Sequence, residues 1–218
     1  MNALKAVLFD NDGTLVDTYD LLLASFRYAT REVLGHELPE EVLMAKVGTP
    51  LADQMKDFTD DPVLQKQLLD TYRSYNHRVH DERVSVFSGE LNALDRLQDA
   101  GFAMGVVTSK MHRLTQHGLD VLGLDRYFTV LMGADDSEKH KPDPEPVVLG
   151  CERLGVAPED CAYVGDSPFD MAAGKAAGCF TVGVTWGMFP RARLEEQGAD
   201  AIVESYGELA DLLIARAK

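Results

Sequence analysis

Ala6-Val7-Leu8-Phe9-Asp10-Asn11-Asp12-Gly13-Thr14-Leu15 is the stretch on which the reading of this chain turns. Its four apolar residues, stopped by a run of polar turn formers, describe a short strand that ends at Asp10. In an extended backbone, residues two apart face the same side, so Asp10 and Asp12 point together into the crevice beyond the carboxyl end of the strand. Two carboxylates there need a compensating cation or a shared proton. Gly13 permits the sharp turn that must follow. Taken alone, an Asp-x-Asp-Gly run is equally readable as a loop of turn-forming residues.

The rest of the chain supplies a setting for that strand. From about Phe87 onward, β-rich runs at residues 103–109, 129–133, 161–166, 181–185 and 201–203 alternate with stretches of helical spacing. Such alternation is the signature of βαβ units and a parallel sheet. Gly101, Gly155 and Gly178 fall where helices should end, and Pro144 and Pro146 fall where one should start, with Asp143 as its expected N-cap. Between the first strand and this series, residues 16–83 contain no convincing strand, and Leu64, Leu68, Tyr72 and Tyr75 recur at helical spacing. The expected fold is α/β: a doubly wound, Rossmann-like parallel-sheet core of residues 1–15 plus 84–218, with an α-helical cap of residues 16–83 inserted after the first strand.

Composition narrows the function classes. The 218 residues include 36 Asp+Glu against 21 Lys+Arg, a formal charge of -15, which leaves no broad basic face for nucleic acid or for an anionic membrane surface. Of these, the expected cap carries 13 acidic and 8 basic residues, so most of the excess lies in the core. With 45% hydrophobic residues the chain can build a sizeable core. No secretory signal pattern and no apolar run of roughly 20 residues is apparent. Three cysteines, Cys151, Cys161 and Cys179, never form a C-x-x-C pair, which argues against a disulfide framework and a zinc site. The expectation is a cytoplasmic protein, a monomer or weak homodimer.

Three further signals fall at later strand ends. Thr108 and Ser109 close one strand and offer hydroxyls and backbone N–H groups to a phosphate. Lys141, in His140-Lys141-Pro142-Asp143-Pro144-Glu145-Pro146, can neutralise a phosphate or a developing negative charge. Asp166 and Asp170 follow the strand at 161–166 and add two carboxylates at the same edge. Each has a bland alternative: a helix cap, a solvated loop lysine and a structural turn. Their joint occurrence in this order, each at the carboxyl end of its own strand, shifts the balance to a site.

In these motifs the chain resembles the haloacid-dehalogenase superfamily of phosphotransferases, over essentially its whole length, and the helical stretch resembles the small cap that many members insert at that point. The resemblance implies that Asp10 is the nucleophile forming an aspartyl-phosphate and that Asp12 is the general acid/base. It implies phosphate contacts from Gly13, Thr14, Thr108, Ser109, Lys110 and Lys141, and Mg²⁺ ligation by Asp10, the main-chain carbonyl of Asp12 and Asp166, with Asp170 behind them. An oxygen-only ligand set suits Mg²⁺ better than zinc. Asn11 stands where the family usually carries an apolar residue; alternation turns it away from the metal, and a backbone or cap contact is expected to satisfy it.

Substrate choice is expected to rest on the cap. Gly48 and Thr49, in Val47-Gly48-Thr49-Pro50-Leu51, resemble the loop that reaches over the site in phosphoglycolate-phosphatase-like members; a plain turn between helices is the competing reading. Tyr72-Arg73-Ser74-Tyr75-Asn76 with His80-Asp81 is similar to bacterial inorganic pyrophosphatases of the same superfamily. Lys110, Arg73 and His80 are candidates for a second phosphate, whereas His77 and His112 are assigned no role. The expected activity is Mg²⁺-dependent hydrolysis of a small phosphorylated metabolite, 2-phosphoglycolate-like or pyrophosphate. A sugar-phosphate phosphomutase using the same nucleophile is the alternative; a receiver-type phospho-accepting module fits poorly, because receivers lack a helical insertion.

Overall fold

A computed structural model of the chain describes residues 3–217. Residues 1, 2 and 218 of the expected core therefore lie outside the described residues. In chain order the elements are β1 (Ala6–Phe9), β2 (Val16–Asp17), α1 (Tyr19–Leu34), α2 (Glu40–Leu43), α3 (Leu51–Gln54), α4 (Pro62–Arg83), β3 (Ser85–Val86), α5 (Glu90–Asp99), β4 (Ala103–Val107), α6 (His112–Leu122), β5 (Val130–Met132), α7 (Glu145–Leu154), β6 (Cys161–Gly165), α8 (Pro168–Ala177), β7 (Phe180–Val184), α9 (Arg191–Glu196), β8 (Ala201–Val203) and α10 (Tyr206–Arg216), with short 3-10 turns between some of them.

Among the described residues, six strands form one parallel sheet in the order β5-β4-β1-β6-β7-β8. β1 is central because its residues are apolar on both faces. Val7 and Phe9 pack on one side with Leu94 and Leu97 of α5 and Leu209 and Leu213 of α10; Ala6 and Leu8 pack on the other with Val147 and Cys151 of α7. All four strand residues are fully buried. The chain runs outward from β1 through β4 and β5, then returns to lay β6, β7 and β8 on the opposite side. That reversal opens a crevice beside β1 at the carboxyl edge.

The cysteines occupy this core as small buried groups, with Cys151, Cys161 and Cys179 all free thiols. The expected helix ends are found at Gly155 and Gly178, where a left-handed backbone closes α7 and α8. Asp143 is not the N-cap expected of it: Pro144 takes that position, and Asp143 lies one residue before it, where its Oδ1 accepts the Glu145 N–H at 3.0 Å.

Residues 16–83 do contain a strand, contrary to the expectation. Val16–Asp17 pairs antiparallel with Ser85–Val86. Two residues are too few for a period to show in sequence, and this ladder exists only because the helical excursion must leave and return at adjacent points. Between these ends α1 packs along α4. Asp61 caps α4 by accepting the Val63 N–H at 2.8 Å, with Pro62 in the first turn. Leu68 and Tyr72 of α4 then bury against Leu22, Leu23, Phe26 and Ala29 of α1, with the Phe26 and Tyr72 rings 4.7 Å apart.

This packing makes Leu68, 0% exposed, the pivot of the helical layer. Leu68→Ala is expected to cost about 2–5 kcal/mol in urea denaturation, and a loss below about 1 kcal/mol would contradict the packing described.

Candidate active site

Asp10 emerges from β1 with its backbone N–H still in the ladder, donating to the Val164 carbonyl at 2.9 Å. Its side chain is buried, and its Oδ1 lies 2.8 Å from Lys141 Nζ. The same ammonium donates to Asp170 Oδ1 at 2.6 Å. Lys141 comes from the loop between β5 and α7, and Asp170 from the first turn of α8. Asp170 is held in turn by a capping box: its Oδ2 accepts from the Ser167 N–H at 3.0 Å and hydroxyl at 2.5 Å, and its own N–H returns to Ser167 Oγ at 3.2 Å. The Tyr163 hydroxyl lies 3.2 Å from Asp170 Oδ1.

Asp166 lies just beyond β6 and is enclosed more tightly. Thr14 Oγ1 donates to its Oδ1 at 3.2 Å and the Met188 N–H donates to its Oδ2 at 2.6 Å. A Cβ on Gly13 would stand 2.5 Å from Asp166 Oδ2, and one on Gly187 would stand 2.3 Å from it, so both neighbours must be glycine. Gly13 also has a φ of +84°, the left-handed region that glycine enters without strain. The turn it makes is pinned through the Thr14 carbonyl, which accepts from Trp186 Nε1 at 3.1 Å and the Tyr206 hydroxyl at 2.6 Å.

The charge balance of this cluster is uneven. One ligand oxygen from each of Asp10, Asp166 and Asp170 lies within 4.8 Å of the others, and all three residues are buried. Lys141 is the buried cation among them. Burial pushes the Asp10 carboxyl up to about 7, and the Asp170 charge adds to this, against the pull of Lys141. Burial, then the charges of Asp170 and Asp10, also pushes Asp166 well above the carboxylate range. Lys141 is desolvated by the same burial, yet Asp10 and Asp170 together hold it firmly protonated.

Asp12 is wired differently. Its Oδ1 meets Lys110 Nζ at 3.0 Å, and although burial works against ionisation, Lys110 outweighs it and holds the carboxyl below its ordinary value. Lys110, expected to face phosphate, is thus bound to the proposed acid/base. Asn11 departs from expectation. Its main-chain carbonyl receives the N–H groups of Thr14, Leu15 and Val16, but its buried side-chain Oδ1 has no hydrogen-bond partner among the described residues. The turn is stitched by backbone; the Asn11 side chain hydrogen-bonds Asp12 and favours its ionised form, while Oδ1 finds no partner.

A cavity of about 760 Å³ opens from Asp10 and Asp12 toward the helical layer. Thr108, Ser109 and Lys110 line the sheet side, while Gly48, Thr49, Arg73, His77 and His80 line the opposite wall. Ser109 Oγ donates to the Gly48 carbonyl at 2.7 Å, and a Cβ on Gly48 would come within 3.2 Å of Ser167 Oγ. The Val47–Leu51 loop is therefore seated on the sheet edge, and the Ser109 hydroxyl serves that contact. Thr49 Oγ1 bonds within its own turn, to the Lys46 carbonyl at 2.8 Å. His112 pairs with Asp136 at 2.6 Å; His77, given no role from sequence, lines the cavity.

Sequence reasoning missed the segment Trp186-Gly187-Met188 and the phenol of Tyr163. Both carry only a positional signal: the first follows β7 at the carboxyl edge, and the second lies inside β6 two residues before Gly165. The structure thus brings Asp10, Asp166, Asp170 and Lys141 to one point, with Asp12 and Lys110 beside it.

Comparison with known proteins agrees with this arrangement. Residues 7–184 match the family described as Haloacid dehalogenase-like hydrolase. A protein of Clostridium perfringens named "Putative pyrophosphatase PpaX" is 38% identical over 210 residues, covering 96% of this chain and 97% of that protein. "Pyrophosphatase PpaX" of Bacillus pumilus is 34% identical over 208 residues, covering 95% of each. Among solved structures, a phosphoglycolate phosphatase so designated by prediction, from Haemophilus somnus, superposes with a TM-score of 0.89 at 24% identity, covering 97% of this chain and 99% of that one, a likeness of fold. By motif order, strand order and the match over residues 7–184, the chain belongs to the haloacid dehalogenase-like hydrolase family.

Proposed function

We propose that this hydrolase is a Mg²⁺-dependent phosphatase that cleaves pyrophosphate, or a small phosphomonoester such as 2-phosphoglycolate, through an aspartyl-phosphate on Asp10. The observation that carries the reading is the Lys141 and Asp170 contact behind Asp10, which opens on a cavity lined by the cations Arg73 of α4, Lys110 and Arg113. The curated relatives named as pyrophosphatases favour the anhydride.

The residues present fit a hard divalent cation: three buried carboxylates face one buried ammonium, and every donor is oxygen. Asp10, Asp166 and the main-chain carbonyl of Asp12 would hold it, with Asp170, tied to Lys141 and to the Ser167 capping box, behind them. Mg²⁺ would there polarise the phosphoryl group and offset the repulsion between its oxygens and the carboxylates.

The chain's own groups then divide the work. Lys141 steers an Asp10 oxygen toward phosphorus and neutralises part of the charge of the incoming phosphoryl group. As the Asp10–phosphorus bond forms, the bond to the leaving oxygen breaks, and Asp12 supplies that oxygen with a proton. Asp12 next takes a proton from the water that attacks phosphorus, which releases phosphate and restores the Asp10 carboxylate. Lys110 links binding to this proton transfer. A substrate phosphate competes for its ammonium, and once that contact to Asp12 loosens, the Asp12 carboxyl becomes basic enough to accept a proton. Thr108 and the backbone at Ser109 complete the phosphate cradle, and the Gly48 loop closes over it.

Two measurements test the reading. Phosphate release from pyrophosphate, 2-phosphoglycolate and sugar phosphates, with and without Mg²⁺, is expected to be greatest with pyrophosphate, to need the metal, and to fall by at least about a thousandfold in Asp10→Asn. Full activity of that variant would falsify the nucleophile, and conversion of a sugar 1-phosphate without free phosphate would establish a mutase. The second measurement concerns stability. Because the folded Asp10 carboxyl titrates near about 7 against an ordinary 3.8, the native state binds the extra proton between these values. Metal-free stability is then expected to fall as pH rises through that window, and to stay low above it. Thermal melts in chelator should show Asp10→Asn more stable than wild type above about pH 7, with Mg²⁺ narrowing the gap; an identical pH profile for the two proteins would contradict the assignment.

A further inference from the structure

The last turn of α4 ends against α6, and three ligand-type side chains meet there outside the carboxylate cluster. Asp81 Oδ1 lies 2.8 Å from His80 Nδ1 and 2.8 Å from His117 Nε2. The facing atoms of the three residues all lie within 4.8 Å of one another. The two imidazole rings are 5.4 Å apart, tilted by 46°.

We infer that His80, Asp81 and His117 form a site for a second divalent cation of the zinc class, distinct from the all-oxygen Mg²⁺ site and joining α4 to α6.

The chemistry of the donors points this way. Two imidazole nitrogens and one carboxylate oxygen form a set that Zn²⁺ and Co²⁺ accept readily and that Mg²⁺ disfavours. Bonds of about 2.0–2.2 Å place three such ligands about 3–4 Å apart, so small side-chain rotations from the present contacts suffice. Here one carboxylate oxygen receives both rings; a cation between them replaces two shared hydrogen bonds with three ligand bonds.

The site is also prepared on one side and open on the other. His80 is 5% exposed, and its ring faces α6 at Gly118, where an added Cβ would stand 3.5 Å from it. Burial, together with the positive charge of Lys110, outweighs Asp81 and holds the His80 imidazole below its usual range, which keeps it in the neutral form that ligates. Asp81 and His117 have side chains 55% and 46% exposed, which leaves an entry path and room for water as the remaining ligand. The net charge of -15 favours cation capture.

Ligation would have a mechanical result. His80 and Asp81 end the helix that carries Tyr72 and Arg73 of the cavity wall, and His117 belongs to the helix that follows Thr108-Ser109-Lys110. A bound cation clamps these walls together, so Zn²⁺ slows any turnover step that requires them to separate.

The test uses the full chain without an affinity tag, saturated with Mg²⁺ so that the carboxylate site is filled. Zn²⁺ is titrated by calorimetry and Co²⁺ by visible absorption, with circular dichroism to confirm that each variant is folded. The expected result is one Zn²⁺ per chain and an intense tetrahedral Co²⁺ spectrum without a thiolate charge-transfer band. Both affinities should weaken by at least about tenfold in His117→Ala and in Asp81→Asn, two exposed positions that leave the fold intact. Absence of Zn²⁺ binding to the Mg²⁺-saturated protein, binding unaltered in both variants, or a thiolate band placing the ion at Cys151, Cys161 and Cys179 would each overturn the inference. None of these outcomes depends on which phosphate is hydrolysed.

Discussion

The buried ammonium of Lys141, held between Asp10 at 2.8 Å and Asp170 at 2.6 Å, is the interaction around which the site is organised. A carboxylate at the end of a fully buried strand cannot keep its charge unaided, and burial, with the charge of Asp170, lifts Asp10 well above its ordinary value even beside Lys141. Lys141 removes part of that penalty and fixes the direction of the Asp10 oxygens. Its second contact, to Asp170, is itself locked by the Ser167 capping box. Asp10 is therefore oriented from β1, the loop before α7 and the start of α8 at once. Three carboxylates against one ammonium still leave the cluster short of positive charge, which is what a divalent cation and a phosphate together can balance.

The parallel sheet makes this convergence possible. With β1 flanked by β4 and β6, the carboxyl ends of three strands deliver Asp10, Thr108 and Asp166 to neighbouring points. Each delivery depends on close backbone approach. Gly13 and Gly187 let two loops close on Asp166, where a single added carbon at either position would overlap its carboxylate. The Thr14 carbonyl is then tied to Trp186 and Tyr206, whose rings stack 4.5 Å apart, so the turn after Asp10 is braced by α10.

Opposite this rigid edge, the helical layer meets the core through the β2–β3 ladder, the Ser109–Gly48 hydrogen bond, Met188 packed against its apolar cluster and the histidine–aspartate cluster between α4 and α6. Its own core, built on Leu68, Tyr72 and Phe26, is separate from the two clusters that sandwich the sheet. Fixed chemistry on one side and a self-contained wall on the other suit an enzyme that must close over a small anion and then release it. The surrounding acidity, -15 overall, repels large polyanions, while the cavity lining of Lys110, Arg73 and Arg113 supplies a local attraction for small ones.

The sequence alone determined the architecture and the acidic motif, because both rest on short-range rules. Alternation of β-rich and helical runs announced the parallel sheet, and two-residue spacing put Asp10 and Asp12 beyond the same strand end. Pro144 marked the start of α7, and Gly155 and Gly178 marked the ends of α7 and α8. What only the tertiary structure decided are relations between distant positions. The pairing of Lys110 with Asp12, separated by 98 residues, and the Met188 N–H bound to Asp166 follow from which loops meet above the sheet. So do the unpartnered Asn11 Oδ1, the two-residue strand at Val16–Asp17 and the meeting of His117 with Asp81. The period of a helix or strand reports which way a residue faces, but the partner it finds there depends on how separate elements pack, and no local pattern carries that information.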